Sequence, residues 1–343
     1  MTSMQRTGLG LLSILAAALG GCDRPMPKTQ VPLSQLVAEY NRNAEAVPMV
    51  AAYADIEFTA YHESTGVGMP VWSSPNGLLR MSKGPEPFGT HDMVLIGREL
   101  SKQVIRVGTS RKDDIYYMWT LVPETKAMWG HMKYAGAPGI ENMTIDPSGL
   151  QAILGICQLP YGSSKDLGVT LRMDTTPGRY AYIVGYINRQ PISNRLILSR
   201  EYRFTWDEER PDGLSEFLIG KQKPRRVEEI SFFDPEGRKL IRAEVSDYKP
   251  VELDPATDEP ETAPIMPTNI RITWYNRKQQ KKYAIRLKLS QMTTEEIWDI
   301  EVCDFLENVP DEIEDYQIVQ VDKGLAEEQE DQEESNGGEG GDE

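Results

Sequence analysis

The side chains able to do chemistry in this chain of 343 residues are few and scattered. The three histidines, His62, His91 and His131, stand at no metal-ligand spacing with one another or with a cysteine. Gly162-Ser163-Ser164-Lys165 has the composition of a phosphate loop but lacks the full G-x-x-x-x-G-K-[ST] pattern, and it reads as a plain turn. No serine sits in a G-x-S-x-G elbow. Asp113-Asp114 and Asp311-Glu312 are adjacent acids. Neighbours on a strand point to opposite faces, so neither pair forms a carboxylate dyad by itself. These readings leave no catalytic residue, no metal site and no cofactor to assign. The remaining concentration is apolar. Tyr117, Met118, Trp119, Met128, Trp129 and Met132 crowd two neighbouring segments, "DIYYMWTLVP" and "KAMWGHMKY". Tyr117, Trp119 and Leu121 share one strand face, and Tyr116, Met118 and Val122 the other, so both faces are apolar. Two arrangements meet that pattern: a central strand covered on both sides, or the lining of a cavity in which Met and aromatic side chains adapt to flexible chains.

One cysteine has a context of its own. The run Leu9–Gly21 has 13 apolar or small residues, short of the roughly 20 that cross a bilayer but right for the core of an export signal behind Arg6. It ends in Leu19-Gly20-Gly21-Cys22, which looks like the lipobox of bacterial lipoproteins. The plainer alternative is an ordinary export signal with a chance cysteine. The resemblance implies cleavage before Cys22, with a diacylglyceryl thioether and an N-acyl chain such as palmitate on Cys22. Several acyl chains at one point, at about 0.8 kcal/mol per buried methylene, hold a folded domain at a membrane without a spanning helix. Cys157 falls on an apolar helical face and reads as a buried thiol; a disulfide with Cys303 is the other arrangement.

The elements that must carry these residues follow from periodicity. Residues 1–21 read as the signal and 22–32 as a polar, proline-bearing tether. Leu33, Leu36, Val37, Tyr40, Ala44 and Val47 recur at helical spacing, with Ser34 near the start. A second helix is expected after Asp146-Pro147, with Leu150, Ile153, Leu154 and Cys157 on one face. Most other segments alternate with period two, giving ten to twelve antiparallel strands. In "RITWYN" and "KKYAIRLKLS", Ile270, Ile272, Trp274, Tyr283, Ile285, Leu287 and Leu289 point one way, and Arg271, Thr273, Arg286 and Lys288 the other. "DPEG" within "ISFFDPEGRKLI" marks a hairpin turn. The formal net charge is −16, which argues against nucleic acid. Nine of the acids and no base lie in 325–343, so 323–343 reads as a solvated, disordered tail.

A lipobox, an opening helix "LSQLVAEYNRNAEAV" running into "ADIEFTA", and the later order "ISFFDPEGRKL", "DYKPVEL", "PTNIRITWYN", "YAIRLKLS" together resemble the LolA/LolB-type lipoprotein carriers and their mycobacterial LppX-type relatives. The resemblance covers about residues 33–322. It implies a mainly β (α+β) fold, a half-open antiparallel β-barrel with helices packed across its concave face. It also implies a periplasm-facing, membrane-anchored lipoprotein that binds or transfers lipids or the acyl chains of other lipoproteins in an apolar cavity, with no covalent step. Unlike the typical carrier, this chain is longer, carries its own anchor and ends in acids. The structural alternative is a scaffolding lipoprotein whose barrel is filled by its own side chains.

Overall fold

A computed structural model describes residues 31–47, 49–84, 91–122, 124–135, 147–162, 167–176, 180–189, 195–205, 225–253, 263–295 and 309–324. The signal, Cys22, most of the tether, Cys303 and the acidic tail from 325 onward lie outside the described residues.

The alternating segments fold as fourteen strands of one sheet, more than the ten to twelve expected. In chain order they are β1 Met49–Tyr61, β2 Gly68–Ser82, β3 Asp92–Glu99, β4 Lys102–Ser110, β5 Ile115–Thr120, β6 Lys126–His131, β7 Leu167–Asp174, β8 Ala181–Arg189, β9 Leu196–Thr205, β10 Val227–Phe233, β11 Lys239–Pro250, β12 Ile265–Tyr275, β13 Lys281–Thr293 and β14 Ile318–Gln320. The spatial order is β14-β6-β5-β4-β3-β2-β1-β13-β12-β11-β10-β9-β8-β7. Two meanders, β1 to β6 and β7 to β13, therefore join where β1 pairs with β13, as in Phe58 opposite Ile285. All pairs are antiparallel except the short β14, which runs parallel to β6. The edges, β7 and β14, do not pair with each other, so the barrel stays open. "DPEG" forms the expected turn between β10 and β11. Gly237 takes the left-handed conformation (φ 78°), and the Asp234 carboxylate accepts the backbone N–H groups of Glu236 and Arg238.

Helix α1, Leu33–Glu45, buries Leu36, Val37, Tyr40 and Ala44, the stripe its spacing predicts, and Val47 follows at 0 % exposure. Its cap position is Pro32 rather than Ser34, with no side-chain cap bond. Helix α2 starts at Pro147 as expected but ends at Ile153, and Gly155 (φ 78°) turns the chain away. Cys157 therefore follows the helix instead of riding on it. Both helices lie within the curve of the sheet. Asn43 exchanges two hydrogen bonds with the backbone of Ile265 at the start of β12 (2.9 Å each), and Asn41 does the same with Leu159 (2.9 and 2.7 Å). Glu39 holds Arg225 through both carboxylate oxygens, and the Lys83 ammonium donates to Ala44 O at the end of α1. From α2, Gln151 donates to His91 O (2.9 Å) and Thr109 Oγ1 (2.7 Å), pinning the helix to β3 and β4. These side-chain bonds fix how the helices sit. The stabilisation comes from burial: each Leu or Val removed from water contributes about 1.5–3 kcal/mol.

The main core lies between helices and sheet and draws on nearly every strand, from Val50 on β1 to Phe204 on β9. A second, smaller core sits on the opposite, outer face of β5 and β6. There Ile115, Tyr117, Trp119 and Ala127 pack under Ile313, with Leu121, Trp129, Val309 and Ile318 at its margin. The segment 309–322 thus straps the outer face before adding β14 to the β6 edge. It is held by the Asp322 carboxylate, which accepts the His131 backbone N–H at 2.6 Å and lies 2.9 Å from His131 Nδ1. No described helix is long and apolar enough to cross a membrane.

Candidate functional site: the inner wall of the sheet

The six aromatic and methionine residues singled out in the sequence do not share one surface. Tyr117, Trp119 and Trp129 belong to the outer core under the C-terminal strap. Met118 and Met128 face the other way, into the main core, at 3 % and 5 % exposure. Met132 lies past the end of β6 in a 3-10 turn, Met132–Tyr134, and is half-buried. The doubly apolar pattern of β5 is therefore that of a central strand covered on both faces, and these side chains fill core. The proposed acyl lining is corrected accordingly: five of the six are committed to packing on two opposite sides of the sheet. Cys22, the lipidation site inferred from the sequence, lies outside the described residues.

An apolar surface is left on the inner wall, where part of its rim runs past the helices. Backbone register aligns one row of side chains across eight strands: Val169 opposite Tyr186, Tyr186 opposite Arg200, Arg200 opposite Phe232, Phe232 opposite Ile241, Ile241 opposite Trp274, Trp274 opposite Tyr283, and Tyr283 opposite Ala60. Directly opposed residues in an antiparallel pair share a face. The next row inward, from Val184 through Tyr202, Ile230, Ala243 and Ile272 to Ile285, is buried beneath the helices. In the outer row Phe232, Ile241, Trp274 and Tyr283 are only half-buried, as is Phe58, which stacks on Tyr283 at 5.5 Å. The result is an aromatic and aliphatic shelf along the rim of the inner wall. Trp72 extends the same face across β2, and its ring lies over Gly97, where a Cβ would come within 2.4 Å of it. A glycine at that position of β3 is what lets the indole lie flat.

One end of the shelf is not apolar. Arg200 is in phase with Tyr202 and Phe204 on β9, so its side chain emerges on the inner wall. Its guanidinium carbon lies 5.1 Å from the Tyr186 ring centre and 5.9 Å from that of Tyr202. Nε is sealed from solvent without a hydrogen-bond partner. Nearby, Tyr40 packs edge-on against Tyr202 at 6.2 Å and Phe204 at 6.0 Å, and its hydroxyl is buried and unpartnered. Burial, then mutual repulsion of the phenolates, pushes the Tyr40 hydroxyl well above the usual phenol range. Burial likewise pushes the Cys157 thiol up to about 11, which makes it a poor nucleophile at neutral pH. The cluster is thus a fixed cation among neutral hydroxyls and a neutral thiol. A cation so placed is able to pair with negative charge. Proton transfer would need a group titrating near neutrality, and these do not.

Sequence reasoning passed over Arg200 although the signal was present. In "REYRFTW" the period-two face that carries Tyr202 and Phe204 also carries Arg200. The shelf residues Trp274 and Tyr283 were legible as facing inward, but not as lying beyond the helices.

No protein-family model matches the chain, and no curated protein sequence matches it. Solved structures with a similar fold include a DUF1329 family protein from Desulfovibrio piger, at 8 % identity and a TM-score of 0.46, covering 79 % of this chain and 96 % of that one. An outer membrane lipoprotein-sorting protein domain from Vibrio parahaemolyticus is similar at 10 % identity and a TM-score of 0.46, over 80 % and 96 %. A LolA superfamily protein from Nitrosomonas europaea is similar at 10 % identity and a TM-score of 0.40, over 79 % and 96 %.

Proposed function

We propose that this protein is a lipid-anchored component of a bacterial cell envelope, facing the periplasm, that binds or passes on acylated molecules by laying an acyl chain along the inner-wall shelf. The observation that carries the reading is the half-buried row of Phe232, Ile241, Trp274 and Tyr283, continued by Phe58. Such a row is apolar enough to hold a chain, and it is not consumed by the helices. Binding is an exchange of apolar surfaces and needs no covalent step or cofactor. The anchor at Cys22 keeps the domain at a membrane, where acyl chains are found.

A second reading has an observation of its own. The space between α1 and the strands β10 to β12, bounded by Tyr40, Leu154, Val227 and Tyr248, is only about 30 Å³, room for a few water molecules and not for an acyl chain. That tight packing favours a scaffold whose barrel is filled by its own side chains. A fluorescent fatty-acyl probe titrated into the mature domain separates the two. The shelf reading expects saturable binding that Ile241→Glu weakens about tenfold or more. Because Ile241 is half-buried, the folding cost should stay near 1 kcal/mol. Absence of saturable binding in the parent protein would leave the scaffold reading standing.

A further inference from the structure

We infer that Arg200 is an anion-binding residue at the end of the shelf, and that the ligand class is a single-headed anionic amphiphile, with its carboxylate or phosphate head on the guanidinium and its chain along the shelf. The inference rests on the shelf reading above and adds what the head of the ligand must be.

The contrast with four acid-paired arginines carries the argument. Arg203, three residues on but on the outer face, is held by Asp174 at 2.7 Å and Glu228 at 2.6 Å. Arg242 is held by Glu229 at 2.8 Å, Arg225 by Glu39 at 2.7 Å, and Arg172 by Glu201 at 2.8 Å. Arg200 has no such acid among the described residues. The groups acting on it are Tyr202, Tyr186, Cys157 and Tyr40, all neutral at physiological pH. A guanidinium carries five N–H donors in a planar fork that matches two oxygens of a carboxylate or phosphate. Here Nε is sealed and a terminal nitrogen bonds the Tyr202 hydroxyl, so the remaining terminal N–H groups are the ones left to meet an oxygen of the head. The Tyr186 and Tyr202 rings flank the cation, and the Tyr202 hydroxyl bonds it, but neither supplies a charge to neutralise it. Surrounding a cation with aromatic and aliphatic side chains costs solvation that a paired anion offsets.

Placement fixes the rest of the ligand. Arg200 is flanked in register by Tyr186 on one side and Phe232 on the other. From Phe232 the apolar row continues through Ile241 and Trp274 to Tyr283. With neighbouring strands about 4.8 Å apart, four steps from Arg200 to Tyr283 span roughly 19 Å. This is the length of a long extended acyl chain. One cation followed by an apolar track of that length is complementary to one anionic head followed by one chain.

The test compares cis-parinaric acid with its methyl ester, which keeps the fluorescent chain and removes the charge. The parent protein should bind the acid about tenfold more tightly than the ester, as expected for a charge-assisted pair. Arg200→Gln should abolish the preference by weakening the acid alone, and Arg200→Lys should retain part of it. Excess inorganic phosphate should compete weakly, because it has a head and no chain. Equal affinity of the parent for acid and ester overturns the inference while leaving the shelf reading intact. Failure of both probes to bind overturns the shelf reading itself. Competition by phosphate as strong as that by the acid would assign a free anion site and overturn the amphiphile. The acid-to-ester ratio of the parent protein decides the matter even if Arg200→Gln does not fold.

Discussion

At the scale of single residues, the molecule separates charges that are neutralised from charges that are not. Lys83 shows the consequence for stability. Burial, only partly offset by Cys157 and Glu45, pushes its ammonium down to about 8. In the unfolded chain a lysine titrates near 10.4. Between about pH 8 and 10.4 the unfolded state therefore holds more protons than the folded state, and this group makes stability rise with pH across that window. Below pH 8 both states are protonated and its contribution is flat. Denaturant unfolding of the parent and of Lys83→Met, measured at half-unit steps from pH 7 to 10, should give a difference curve that climbs by on the order of 1 kcal/mol per pH unit. A flat difference would show that the ammonium is solvated. Lys83 was not readable as special, and Arg200 was readable only as a charge on an apolar strand face, not as one without an acid. A lysine after a strand and an arginine within one are ordinary until the third dimension shows which lack water and which lack acids. Cys157 was readable as a thiol that packs, though its predicted place on the helix was displaced by the turn at Gly155.

At the scale of elements, period-two alternation and the stripe of α1 were sufficient to recover most strands and the helix that fills them, since each has one dominant apolar face. They failed where an element is covered twice. Residues 115–120 are buried throughout, so no alternation distinguishes a lipid-facing side from a core side. What covers the outer face comes from 309–318, almost two hundred residues later, and no local pattern announces a strap. Its main peg is Ile313, at 5 % exposure against Tyr117 and Trp119. Ile313→Ser should cost about 2–4 kcal/mol, the range for losing a buried branched side chain. It should also red-shift the tryptophan emission as Trp119 and Trp129 gain water. Acyl-probe binding should be unaffected, because the shelf is on the opposite face. Unchanged stability and emission would mean that the strap does not shield this patch.

At the scale of the whole molecule, two meanders joined at β1 and β13 form an open wall around two helices, with the strap on the outside and the shelf on the inside rim. The open, mainly β architecture was legible because alternation and turn chemistry recur along the chain; the surface left for a ligand was not, because it depends on where the helices stop. The proposed lipid anchor belongs to this scale too. With Cys22→Ser, the protein should move from the membrane fraction to the soluble one; persistence in salt-washed membranes would show a second anchor. The central claim is that an acyl chain lies on the inner wall and not among the aromatics of β5 and β6. Quenching of tryptophan fluorescence by doxyl-labelled stearic acid reads that position directly. Saturable quenching should be lost when Trp72 and Trp274 are both changed to Phe, and should survive when Trp119 and Trp129 are changed instead. Quenching that follows Trp119 and Trp129, or that never saturates, would contradict the account.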